Sequence, residues 1–141
     1  MHTENHFSLR VLVAAAKVKD SIDLKFSLVT GTAPPTGNVH TSADIEWKSV
    51  EEFAQELKVN RKDLQRAFKY CNDKGINEYL ACRKMEAACM LLAYGEKTIK
   101  EIAIDLDYTQ NHFSFFFKKR KGLTPLEWQK KNGNGNNDLK S

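Results

Sequence analysis

The chain has 141 residues, 41% of them hydrophobic and 28% charged, with 22 Lys and Arg against 18 Asp and Glu. That length excludes a two-domain dehydrogenase layout or a large barrel, and that composition excludes a disordered chain. The longest apolar run, Val11 to Ala16, has six residues against the roughly 20 that cross a bilayer, and no leader pattern is seen, so a cytoplasmic protein without membrane contact is expected.

Charge and cysteines narrow the class further. Residues 1–47 carry a net charge of −1, whereas 48–132 hold seventeen basic and twelve acidic side chains, a net +5. A basic segment of this kind points to a polyanionic partner. Three cysteines, Cys71, Cys82 and Cys89, cannot all pair within the chain, and none are spaced as C-x-x-C. A reducing compartment and no metal are expected.

In chain order, the first segment (1–47) reads as an arm and linker with a β-hairpin. Ser8–Val13 and Ile22–Thr30 contain alternating and β-branched stretches, as in Asp23-Leu24-Lys25-Phe26-Ser27-Leu28, which predict two short strands. Gly31 to Asn38, with Pro34-Pro35, reads as a linker. Two strands alone are marginal in water, so the arm must pack on the remainder or on another chain.

From residue 48 the pattern becomes helical and repeats. Phe53-Ala54, Leu57, Val59, Leu64 and Phe68 recur as Ile102-Ala103, Leu106, Tyr108, Phe113 and Phe117, each 49 residues on. The spacing within each copy gives two short amphipathic helices joined by a tight turn. Ser49 with Glu52, and Thr98 with Glu101, form S/T-x-x-E capping boxes. Asn60 and Thr109 stand where each second helix needs its N-cap. Between the copies, Asn77 to Tyr94 has few breakers and ends at Gly95. About 18 residues there predict a connecting helix of about 27 Å. Thr124-Pro125-Leu126-Glu127 starts a last helix with Pro at its first position, and residues 132–141 form a polar tail.

The second helix of each copy presents a distinctive outward face. At about 100° per residue, Leu64, Ala67, Phe68 and Cys71 fall on a core face, whereas Lys62, Gln65, Arg66 and Lys69 point away. Arginine can pair with guanine O6 and N7 and glutamine with adenine, so this is a face suited to a major groove. A solvated charged stripe is the plain alternative. In the second copy Phe113, Phe116 and Phe117 face inward, and Asn111, Phe115 and Lys118 outward. Asn111 can meet a base edge, and Phe115 a thymine methyl or a protein partner. Lys118-Lys119-Arg120-Lys121 suits sequence-independent phosphate contact.

These residues resemble the DNA-binding domain of AraC/XylS-type bacterial transcription regulators over roughly Ser49 to Lys130. Phe117-Lys118-Lys119-Arg120-Lys121-Gly122-Leu123-Thr124-Pro125-Leu126-Glu127-Trp128 is similar to the family's closing motif. Glu78-Tyr79-Leu80 with Arg83, Met85, Ala88, Leu91 and Leu92 resembles its linker helix, and Leu64-Gln65-Arg66-x-Phe68-Lys69 its first recognition helix. The resemblance implies a mainly α fold of seven helices: two homeodomain-like helix-turn-helix subdomains joined by a long linker helix over 48–131. It implies entry of both recognition helices into successive major grooves of promoter DNA, and often contact with RNA polymerase. Carried over by position, base contacts fall to Lys62, Gln65, Arg66, Gln110, Asn111 and Phe115. Phosphate contacts fall to Arg61, Lys69, Lys118, Lys119, Arg120 and Lys121. This sequence departs from the family in having Lys58 and Asp107 where a turn glycine is usual, a second turn one residue shorter, and Phe115 where an arginine is frequent. Its 47 N-terminal residues are too few for the usual sensing barrel, so either a minimal regulator or a piece of a longer one is expected.

No enzyme site is expected. His2, His6, His40 and His112 lack ligand spacing, and no phosphate loop or nucleophile elbow occurs. The repair proteins that share this module place a cysteine cluster before the helices, and residues 1–70 contain no cysteine. Neither a cofactor nor a small-molecule ligand is evident. The competing reading is a protein-interaction module or anti-activator that keeps the fold without reading sequence.

Overall fold

The computed structural model describes residues 7–32 and 46–133. Among them are seven α-helices and no strand: α1 (Leu9–Thr30), α2 (Val50–Leu57), α3 (Arg61–Asn72), α4 (Ile76–Tyr94), α5 (Ile99–Asp105), α6 (Gln110–Lys121) and α7 (Pro125–Asn132). His2, His6, His40, most of the 31–38 linker and the tail beyond residue 133 lie outside the described residues. The chain divides into two compact units. The first holds residues 7–25 and 46–83, the second 26–32 and 84–133, so α1 and α4 each contribute to both.

The hairpin expected within 1–47 is corrected to one 22-residue helix. The alternation that suggested strands is short in each stretch, as in residues 23–28. The longer pattern is helical: Ala15, Val18, Ile22 and Phe26 are buried at spacings of three and four. Ser8 opens α1, its hydroxyl and carbonyl both accepting from the Val11 amide. Gly31 closes it at φ +75°, with the Thr32 amide bonded back to the Ser27 carbonyl. Of the seven helices expected over 48–131, six are found from residue 50 onward, and the seventh helix of this chain, α1, lies before residue 48.

The 49-residue repeat holds at the level of single hydrogen bonds. Amides of Phe53 and Ile102 bond to the carbonyls of Ser49 and Thr98, and those of Val59 and Tyr108 to Ala54 and Ala103. Both expected capping boxes are present, and a third joins Thr124 to Glu127. The Asn60 side chain accepts from the amides of Lys62 and Asp63, and that of Thr109 from His112. These contacts satisfy amides that a helix start otherwise leaves without partners.

In the first unit, Ala14, Ala15, Val18 and Ile22 of α1 join Val50, Phe53, Ala54, Leu64, Ala67, Phe68 and Ile76 in one buried cluster. Polar contacts brace it. Asp23 accepts from the Tyr79 hydroxyl, the Lys19 ammonium at 3.1 Å and the Arg83 guanidinium at 3.2 Å. Burial pushes the Asp23 carboxyl up, but these bonds and the nearby cations outweigh it and hold it below the usual aspartate range. In the second unit the buried residues include Leu92, Ile102, Leu106, Phe113 and Phe117. Gln129 of α7 donates to the Leu92 carbonyl at 2.9 Å.

The turn residues that replace glycine adopt the conformation glycine would favour: φ is +57° at Lys58 and +68° at Asp107. The Arg10 guanidinium reaches across from α1 and donates to the Lys58 carbonyl at 2.8 Å. Lys58→Gly keeps that carbonyl and relieves about 1–2 kcal/mol of left-handed strain. The greater freedom of glycine in the unfolded chain takes part of this back. A net gain of about 0.5–1 kcal/mol is expected, read as a higher urea midpoint at unchanged slope.

Candidate nucleic-acid interface

In the first unit, the faces of α3 are set by which side chains the core takes. Leu64, Ala67 and Phe68 are fully buried. Arg61, Lys62, Arg66 and Lys69 are exposed and Gln65 is half-buried. Gln65, Arg66 and Lys69 come together along one shallow groove with Gly75, Ile76, Asn77 and Glu78. Arg61 stands 3.8 Å from Glu51, and Arg66 3.7 Å from Asp63, both as exposed pairs of little energetic weight. Cys71, expected on the core face, is exposed instead. It sits in the last turn of α3, past Phe68, the final α3 residue of the buried cluster.

Three neighbours of this face carried no signal in the sequence. Tyr70, one turn beyond Arg66, is 60% exposed. The Phe7 ring lies 5.7 Å from that of Tyr70, and the Arg66 guanidinium lies over the Phe7 ring at 5.4 Å. Phe7 precedes a segment read as a strand, so nothing in the local pattern could bring it to α3. Arg10, at the turn, was hidden for the same reason.

In the second unit, Phe113 and Phe117 are fully buried. Gln110, Asn111, Phe115 and the run Lys118, Lys119, Arg120, Lys121 are all exposed. Phe115 is 69% exposed, as unpartnered by the core as its helical position predicts. Phe116, expected in the core, is only half-buried. Its ring packs 5.4 Å from Tyr108 and lies under the Arg120 guanidinium at 5.3 Å, so a boundary cluster takes it instead. The four cations occupy the last turn of α6, where they also complement the helix dipole.

A buried lysine braces the second turn. Lys84 of α4 places its ammonium 4.5 Å over the Tyr108 ring, beside left-handed Asp107. Burial lowers its pKa from the usual lysine range, and the Asp107 charge partly offsets this. Among the described residues no group of three or more His, Cys, Asp or Glu could hold a metal ion, and no helix is long and apolar enough to cross a membrane.

Comparison with known proteins gives this geometry a context. A family model described as a helix-turn-helix domain matches residues 53–131. The chain is 30% identical over 82 residues to a protein of Escherichia coli (strain K12) designated an HTH-type transcriptional regulator, YkgA. That match covers 57% of this chain and 34% of the relative, so the chain spans about a third of that protein's length. Among solved structures, it is similar to the C-terminal domain of the two-component response regulator yesN from Fusobacterium nucleatum, with a TM-score of 0.62, 20% identity and coverage of 81% of this chain and 95% of that one. It is similar to the C-terminal domain of AraT, a response regulator from Geobacillus stearothermophilus, with a TM-score of 0.61, 24% identity and coverage of 82% and 85%. A transcriptional regulator of the AraC-type DNA-binding group from Chromobacterium violaceum gives a TM-score of 0.58 at 19% identity, over 84% and 94% of the two chains. At these identities the structures establish the shared fold.

Proposed function

This chain belongs to the AraC-type helix-turn-helix family of DNA-binding transcription regulators, and from that premise we propose that it reads double-stranded promoter DNA sequence-specifically through α3 and α6. The observation that carries the reading is the division of α3. Its apolar side chains are fully buried, and its long donors Lys62, Arg66 and Lys69, with Gln65 at the edge, are left toward solvent. Lys62, Gln65 and Arg66 act on bases from the first unit, and Gln110, Asn111 and Phe115 from the second. Arg61, Lys69, Lys118, Lys119, Arg120 and Lys121 hold phosphates, which fix position without specifying sequence. The DNA-binding domain is 48–131, and RNA polymerase is the partner through which bound protein acts on transcription. Base reading and phosphate contact of this kind require no catalytic group or metal. An interaction module that has given up DNA is not favoured, because the exposed donors have the chemistry that base edges and phosphates require.

Arg66 is the sharpest test. Arg66→Ala is expected to cost about 1–3 kcal/mol of specific affinity and to relax the preference at one base pair. The preferred site is first selected from random-sequence duplex by the wild-type chain, and both proteins are then titrated against it by fluorescence anisotropy. An unchanged preference in the variant removes Arg66 from the base-reading set. Failure of the wild-type chain to enrich any site removes sequence-specific reading altogether.

A further inference from the structure

We infer that Phe7 is a positioning residue for Arg66: a platform, built into the start of α1, that holds the guanidinium of the first recognition helix in place before DNA arrives. This rests on the proposal that Arg66 reads a base, and goes beyond it by assigning a DNA-reading role to a residue outside the helix-turn-helix segment.

Three observations carry it. First, Phe7 does not dangle. It is half-buried and packs against the first unit's core cluster, with Val11 and Leu12 of α1 also packed there. It immediately precedes Ser8, which caps α1, and an apolar residue before a helix cap fixes the angle at which the chain enters the helix. Second, the ring meets the part of Arg66 that reading would use. The guanidinium lies over its face at 5.4 Å, within the range of a cation–π contact. Third, the neighbours of Arg66 one turn either way along α3 leave it on the ring side. Asp63, one turn earlier on α3, stands 3.7 Å from its Nη1. Tyr70, one turn later, packs 5.7 Å from the same Phe7 ring. The ring under the guanidinium restricts the side chain, the weak Asp63 pair adds little, and 60% of the side chain remains exposed. A bidentate pairing needs the guanidinium plane fixed and one edge free.

The physical consequence is a change in when side-chain freedom is lost. A solvated arginine gives up its rotamers on binding, and that loss weakens the complex. An arginine already seated on Phe7 has given up part of this freedom when the protein folds. The platform therefore acts only through Arg66, and its effect is expected to vanish when Arg66 is absent.

A double-mutant cycle tests this. Phe7→Leu keeps an apolar side chain for the core and removes the aromatic face, and Phe7→Tyr keeps the face. Each is made in the full chain with Arg66 and with Arg66→Ala, and circular dichroism checks that all are folded. The probe is the fluorescent duplex selected by the wild-type chain, with a random-sequence duplex beside it. Phe7→Leu is expected to weaken binding to the selected duplex about two- to fivefold, the size of an exposed cation–π contact. It should also soften the preference at the base pair assigned to Arg66, leaving the random duplex unaffected, and Phe7→Tyr should restore both. In the Arg66→Ala background neither change should matter. An equal loss in both backgrounds overturns the inference in favour of a purely structural Phe7. A gain in affinity overturns it in favour of a shield over Arg66. No effect of Phe7→Leu while Arg66→Ala relaxes specificity overturns it and leaves base reading by Arg66 standing. No effect of Arg66→Ala itself removes the premise and the inference together.

Discussion

Phe117→Ala is expected to lower the unfolding free energy by about 3–5 kcal/mol, whereas Phe115→Ala, two residues earlier on α6, is expected to change it by less than about 0.5 kcal/mol. The contrast follows from burial alone. The Phe117 ring is fully buried, meeting Phe113 edge-on at 5.8 Å and Trp128 at 6.1 Å. Truncation removes its apolar transfer energy and leaves a cavity that rigid aromatic neighbours fill poorly. A domain of this kind has only about 5–15 kcal/mol in all, so such a loss takes it close to unfolding at moderate temperature. Phe115 is 69% exposed and leaves no cavity. Its loss removes an exposed side chain and leaves stability nearly unchanged. Urea denaturation followed by far-ultraviolet circular dichroism separates the two. Equal costs at both positions would contradict the assignment of α6's faces, and with it the set of residues offered to DNA.

How far the sequence revealed this molecule depends on the range over which each signal acts. Capping boxes and N-caps are local chemistry completed within four residues, so Ser49, Asn60, Thr98, Thr109 and Thr124 could be assigned by inspection. The 49-residue repeat supplied the rest of the helical segment, because two copies of one pattern constrain each other where one copy is ambiguous. The linker helix was recognisable by length and by Gly95, although it carries no single apolar stripe. Its Ile76 is buried in the first unit, and its Met85, Ala88 and Leu92 in the second.

The arm failed for a physical reason. Short alternating stretches such as residues 23–28 cannot distinguish a strand from a helix whose buried face is only one stripe wide, and β-branched residues bias the reading toward a strand. The deciding contacts are remote. The Arg10 bond to the Lys58 carbonyl spans 48 residues, and the Tyr79 bond to Asp23 spans 56. Gly31 was legible as punctuation. The structure adds that it closes a helix. The candidate site divides the same way. The exposure of Lys62, Arg66, Asn111 and Phe115 follows from helical phase. The seating of Arg66 on Phe7, and of Lys84 on Tyr108, depends on tertiary contacts with no sequence pattern.

Replacing Lys118, Lys119 and Lys121 together with Gln is expected to make the dependence of log K on log salt shallower by about 2.7, at 0.9 per phosphate neutralised. These three are exposed in the last turn of α6, while Arg120 is left in place because it covers the Phe116 ring. Between about 50 and 200 mM salt, wild-type affinity should then fall roughly fortyfold further than that of the variant. The effect should be the same on the selected and on the random-sequence duplex, because phosphate contacts carry no base information. One competing effect must be measured alongside. Cations at a helix C-terminus each stabilise it by about 0.3–1 kcal/mol, so the variant is also expected to unfold at somewhat lower urea. The two contributions separate cleanly. A destabilised but folded domain lowers affinity without changing the salt slope, whereas lost phosphate contacts change the slope itself. A folded variant with the wild-type slope would therefore place the α6 cations away from the DNA backbone, and Lys69 and Arg61 would become the next phosphate contacts to test.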